Sequence, residues 1–163
     1  MSNAIRATSA TRDRLDGEIT PIGAVQSRTY GDNEAKYAAA HAIDLDLETM
    51  SYIKPGDDGT VWLEVKLDQK HCVGKVVLYK KSGVVIRTWT CSQIDCTDCE
   101  GSDCSKFLLT VSNEGSAFED HPADSGCRKG DAVKITKSTA GGLMKVEEMA
   151  VFRNEGEANF CWM

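Results

Sequence analysis

No stretch of this sequence is apolar for long enough to cross a bilayer as a helix, and its first residues lack the basic-then-apolar order of a secretory leader. No transmembrane segment is therefore expected. Basic charge is also short, with 19 Lys and Arg against 25 Asp and Glu and a formal charge of -6. That balance argues against a phosphate-tracking nucleic-acid binder and suits cations or neutral ligands. Histidine is scarce: His41, His71 and His121 are dispersed, and no serine or cysteine sits in a nucleophile-elbow or protease signature. The chain reads as a non-enzyme. Repeats and low-complexity tracts are missing as well, so 163 residues with 41% hydrophobic composition suit one domain over 1–163.

Cysteine, by contrast, is abundant. Four of the seven lie in the polar stretch Cys91, Cys96, Cys99 and Cys104, which has no apolar period and cannot build a core. Covalent staples are expected over a cysteine-rich insert at 88–105, which implies an exported, extracellular domain. Zinc is the rival, since Cys96 and Cys99 have ligand spacing, but no second pair at matching spacing and no nearby histidine complete such a site. An odd count leaves one thiol free or pairing between chains. The segment 1–22 is polar and reads as partly ordered, with residues 4–10 a possible first edge strand and Met1-Ser2-Asn3-Ala4 an expression remnant.

The organising stretch is 37–67. A single helical turn is the most that Ala38, Ala39 and Ala40 support before Asp44, Asp46 and Glu48 fall at alternate positions, followed by Thr49, Ser51 and the turn at 55–59. Hard cations bind such oxygen-rich loops, and the plainer alternative is a solvated acidic turn. Residues 61–67 then alternate, with Leu63, Val65 and Leu67 on one face and Trp62, Glu64 and Lys66 on the other, as in a half-buried strand. Further strands are predicted at 75–79, 107–111, 132–136 and 143–153, separated by turn signals at 112–116 and 139–142 and a polar excursion at 119–130. His71 and Cys72 read as a loop between two strands. Short strands with turns between them indicate an antiparallel β-sandwich.

The words around the carboxylates carry a resemblance. His41-Ala42-Ile43-Asp44-Leu45-Asp46 with Thr49 resembles the "A-I-D-G-D-x-x-T" segment of discoidin-like (coagulation factor 5/8 type C) and fucolectin-type domains. Trp62 to Leu67 resembles their "W-W-x-V-D-L" strand, Val73 to Tyr79 the strand after it, and Met144 to Arg153 their C-terminal strand. The resemblance implies an all-β jelly roll whose loops at one end form a ligand rim. It also implies a calcium site joining Asp44, Asp46 and Glu148 with main-chain oxygens near His41 and Ser51, although Glu147 leaves the register open by one residue. Leucine stands at 45 where the family has glycine, a costly choice if that backbone is left-handed.

On the rim, Lys81 stands where fucolectins have their first sugar-gripping arginine and Arg87 near the second, while Val84-Val85 replaces a vicinal cysteine pair. Fucose itself is therefore not implied, but Lys81, Arg87, Tyr52 and Asp57 remain the expected contacts for a hydroxylated ligand. Two functions follow: an extracellular carbohydrate-binding, lectin-like domain for a glycan or glycoprotein, or a cell-adhesion domain using the same rim on a cell-surface protein.

Overall fold

The computed structural model describes residues 11–80, 83–90, 94–96, 107–113, 116–118, 128–137 and 142–153. The alternation at 61–67 becomes the first part of one long strand, β3 (Trp62–Lys80), with Leu63, Val65 and Leu67 buried and Lys66 exposed. This first part pairs antiparallel with β1 (Pro21–Gln26) on one side and with β8 (Arg128–Lys137) on the other. The ladder to β8 shifts register between Lys66 and His71, and beyond it β3 takes new neighbours, β4 (Val84–Thr90) and β10 (Glu148–Arg153). β5 (Ile94–Cys96) adds to β4, while β6 (Phe107–Asn113) lies between β8 and β7 (Ser116–Phe118). A separate ribbon joins β2 (Ser51–Ile53) to β9 (Met144–Val146). Every ladder among these strands is antiparallel. Among the described residues the helical elements are one short turn, α1 (Glu34–Tyr37), flanked by 3-10 turns at Tyr30–Asp32 and Ala39–Ile43.

The two parts of β3 differ in what covers them. Leu63, Val65 and Leu67 join Val76, Leu78, Trp89, Ile135, Met149 and Val151 in the main core. The other face of the second part, Val77 and Tyr79, packs with Ala150, Phe152 and Leu15 in a smaller cluster. A strand buried on both faces reads as a continuous apolar run, which is the pattern of Val76-Val77-Leu78-Tyr79. Fully burying each such side chain is worth about 1.5–3 kcal/mol.

Several boundaries differ from the sequence reading. His71 and Cys72 are inside β3 rather than in a loop, because the strand continues through its bulge, and Cys72 is disulfide-bonded. The insert expected to begin at 88 starts later: Arg87, Thr88 and Trp89 pair with Cys96, Asp95 and Ile94, so backbone pairing extends into the polar stretch. The final strand breaks at Glu147, where β9 leaves for β2 and β10 turns to β3. Within the turn expected at 112–116, Ser112 and Asn113 instead pair with Ala117 and Ser116. β8 starts at Arg128, inside the supposed excursion. The strand expected at 4–10, Lys81, and Cys91, Cys99, Cys104 and Cys127 lie outside the described residues.

Candidate functional site

The 3-10 turn Ala39–Ile43 delivers the chain into the acidic loop, whose geometry comes from its own side chains. Asp44 Oδ1 accepts from the Asp46 backbone N–H at 2.9 Å, and Asp46 Oδ1 accepts from that of Glu48 at 2.9 Å. Two successive carboxylate-to-backbone bonds wind the segment tightly, as aspartate does in turns. Leu45 sits between them at φ 66, the left-handed conformation that favours glycine. Leu47 is buried and anchors the loop to the core.

Oxygens converge at Thr49. Its Oγ1 is 2.7 Å from Asp44 Oδ2, 3.2 Å from the Asp46 carbonyl and 3.4 Å from the His41 carbonyl. A hydroxyl carries one proton and satisfies one of these acceptors at a time; the Asp46 carbonyl also accepts from the Thr49 backbone N–H at 3.4 Å. The His41 ring stands beside them, Nδ1 at 3.2 Å from Asp44 Oδ2 and Nε2 at 3.0 Å from the Ala35 carbonyl. Partial burial opposes its protonation, but the Ala35 carbonyl and the Asp44 carboxylate outweigh that and hold the imidazole above its ordinary value.

Behind the loop lies a buried ionic triad. Arg12 donates from Nε to Glu148 Oε2 at 2.9 Å, and from Nη1 and Nη2 to the two oxygens of Glu18 at 2.8 and 2.6 Å. Its guanidinium also lies 5.2 Å from the Tyr79 ring centroid. The Arg12 backbone N–H donates to the Leu45 carbonyl at 2.9 Å, so the same residue is tied to the acidic loop. Glu148 Oε1 is buried and without a hydrogen-bond partner. Burial pushes this carboxyl up to about 8; Arg12 pulls it down, and nearby Asp44 and Glu18 push it further up.

A second surface is built from two loops. Residues 27–33 and 53–60 are fastened by Ser27 Oγ donating to the Lys54 carbonyl at 2.8 Å and by the Lys54 N–H donating to the Arg28 carbonyl at 2.9 Å. Arg28 pairs with Asp57, and Lys54 Nζ pairs with Asp32 at 3.2 Å. Tyr30, Tyr37 and Tyr52 meet beside these pairs: Tyr30 stacks on Tyr52 with centroids 4.3 Å apart, and Tyr37 meets both edge-on.

The predicted residues thus fall in separate places. Asp44, the His41 carbonyl and the Asp46 carbonyl come together at Thr49, while Glu148 on β10 is held by Arg12. Asp46 Oδ1 accepts from the Glu48 backbone N–H, and the Ser51 hydroxyl faces the Ala38 and Ala39 carbonyls, both at 3.0 Å. Among the described residues no three His, Cys, Asp or Glu side chains group closely enough to hold a metal; two of the convergent oxygens are main-chain carbonyls. Asp57 and Tyr52 belong to the two-loop surface. Arg87 is buried on β4 with its guanidinium 4.9 Å from the Trp89 ring centroid, withdrawn from the surface where a sugar-gripping side chain was expected. Sequence reasoning missed Arg12, Glu18 and Tyr30. The first two give no local signal, whereas Tyr30 beside Gly31 at least marks an exposed turn.

No family model matches the sequence, and no curated protein matches it. Solved structures do. A fucose binding module from Streptococcus pneumoniae aligns over 84% of this chain and 96% of its own, with TM-score 0.55 and 18% identity. An F5/8 type C domain from Bacteroides fragilis aligns over 86% and 99%, with TM-score 0.51 and 14% identity. A family 32 carbohydrate-binding module from C. perfringens NanJ, solved with galactose, aligns over 80% and 93%, with TM-score 0.50 and 18% identity. The fold is therefore discoidin-like, an antiparallel all-β domain of the kind these structures share.

Proposed function

We propose that this chain is a non-catalytic, lectin-like glycan-binding domain that works outside the cell and carries a structural calcium ion. The observation that carries the binding reading is the two-loop surface, where exposed acid–base pairs hold Asp32 and Asp57 beside a tyrosine cluster. Fixed polar groups next to an aromatic face are what a hydroxylated ring with one apolar side requires. The structural neighbours, among them a fucose binding module, a lectinolysin lectin domain complexed with Lewis b and a family 32 module in complex with galactose, support the same class. A cell-surface protein remains the alternative partner.

For calcium, the chemistry of the donors fits. Asp44 Oδ2, the His41 and Asp46 carbonyls and Thr49 Oγ1 are hard oxygens, and Glu148 Oε1 is a buried acceptor with no other claim on it. Such a set, with carbonyls beside one or two carboxylates, matches what calcium takes from proteins. The ion would supply charge compensation where Glu148 and Asp44 oppose each other, locking the acidic loop to β10. It has no part in contacting sugar. Arg12 already shields the other oxygen of Glu148, so one positive charge on each side of that carboxylate completes the arrangement.

A glycan array probed in calcium and in chelator tests the proposal. Binding to a defined neutral glycan series that weakens in chelator is expected. Capture of no glycan, with a cell-surface protein retained instead, selects the adhesion reading.

A further inference from the structure

The glycan-binding reading leaves open where the ring sits and which sugars fit. We infer that one pyranose stacks on Tyr30, on the turn whose Arg28 and Asp32 also line a pocket beside β1, and that the site takes neutral sugars over acidic ones. This deepens the proposed function and rests on it.

Three observations converge. Of the three rings in the tyrosine cluster, Tyr30 is the most exposed. Tyr52 is covered by Tyr30 and has Lys145 Nζ 5.6 Å from its centroid, Tyr37 has Lys36 Nζ at 5.3 Å, and Tyr30 is 40% exposed. The turn that presents it is held in an unusual conformation. Gly31 and Asp32 have φ 65 and 55, and left-handed backbone at a non-glycine residue persists where its surroundings over-determine it. Here the Lys54–Asp32 pair and the bond from Lys54 N–H to the Arg28 carbonyl do so. Finally, a pocket of about 520 Å³ is lined by Gln26, Arg28, Thr29, Asp32 and Glu34, so the turn that carries Tyr30 shares Arg28, Thr29 and Asp32 with it. That volume lies in the range of small-ligand sites.

The chemistry then selects the ligand. A pyranose with an apolar C–H face can lie on the Tyr30 ring while adjacent hydroxyls donate to Asp32 and accept from Lys54 or Arg28. The Asp32 and Asp57 side chains are 87% and 90% exposed, and Glu34 is also exposed. Their carboxylates oppose a sugar that carries its own, and the domain's charge of -6 adds to this.

The test is an NMR titration of the full chain in calcium with methyl β-galactoside, methyl α-fucoside and sialyllactose, run on wild type, Tyr30→Ala, Tyr30→Phe and Asp32→Asn. At least one neutral glycoside is expected to bind and shift the Tyr30 and Asp32 resonances, with sialyllactose weaker. Tyr30→Ala is expected to weaken binding by about tenfold, and Tyr30→Phe to retain it. Because Tyr30→Ala also disturbs a packed cluster, Asp32→Asn serves as the independent probe. Asparagine tolerates the left-handed backbone, so the fold is kept while the hydroxyl acceptor weakens. Unchanged binding in both Tyr30→Ala and Asp32→Asn overturns the subsite and leaves the lectin reading standing. A preference for sialyllactose overturns the selection of neutral sugars. Absence of any glycan binding to the wild type overturns both proposals.

Discussion

Arg12 and Glu148 are 136 residues apart in sequence, yet the Nε of one donates to a carboxylate oxygen of the other at 2.9 Å with both side chains removed from solvent. Glu18 completes the triad from the other side of the guanidinium. One cation therefore serves two buried carboxylates.

Truncating the cation is expected to be severe. Arg12→Met leaves Glu148 buried without a countercharge and Glu18 with only the partly exposed Arg14 at 3.2 Å, and breaking a buried pair in this way costs about 3–5 kcal/mol. Urea denaturation measures it. Arg12→Met combined with Glu148→Met is expected to cost less than the sum of the single changes, because the second substitution removes a stranded charge.

The left-handed residue in the acidic loop gives an inverted substitution order. At an ordinary position alanine is more stable than glycine, but at φ 66 the side chain of Leu45 is strained. Leu45→Gly is expected to exceed Leu45→Ala in stability by about 1 kcal/mol. Thermal melts of the two variants decide it, and alanine above glycine would mean that the loop is not wound this way.

Much of this loop was legible in the sequence. Alternating aspartates and the words around them pointed to an irregular, oxygen-rich loop at 44–51, and the leucine at 45 to a costly left-handed backbone, because the bonds that wind the loop span only two residues. The triad was not legible, since its three members carry no shared local pattern. β1 escaped for another reason: Pro21 and Gly23 break strand signals, and Ile22 and Val25 face outward, so the alternation points the wrong way. β4 was hidden by Arg87, whose charge reads as surface although it packs on Trp89. The tyrosine cluster draws single residues from three elements and has no period at all.

Calcium is expected to bind the folded chain at a dissociation constant of about 0.1–1 mM, the range of extracellular modules. At about a hundredfold excess the gain is ~2.7 kcal/mol, so chelation lowers the melting temperature. Asp44→Ala is expected to abolish that response and keep the β spectrum, since the core is apolar. Identical melting of the wild type in calcium and chelator rejects the site.

The two faces of the first part of β3 are expected to answer differently to truncation. Leu63 is fully buried, so Leu63→Ala costs about 2–5 kcal/mol. Lys66 is exposed, and Lys66→Ala stays within about 0.5 kcal/mol. Denaturant midpoints for the pair check the assignment of faces.

The long strand β3 has one more consequence, which concerns synthesis. Its second part is apolar on both faces and finds its cover in β10, some seventy residues later in the chain. During translation that partner is still missing when β3 leaves the ribosome, and the ladder to β10 cannot close until residue 153 has emerged. Non-local pairing of this kind folds slowly and keeps apolar strand surface open meanwhile. A nascent chain arrested before β10 is thus a natural client for a holding chaperone, and release into the folded form waits for the last strand.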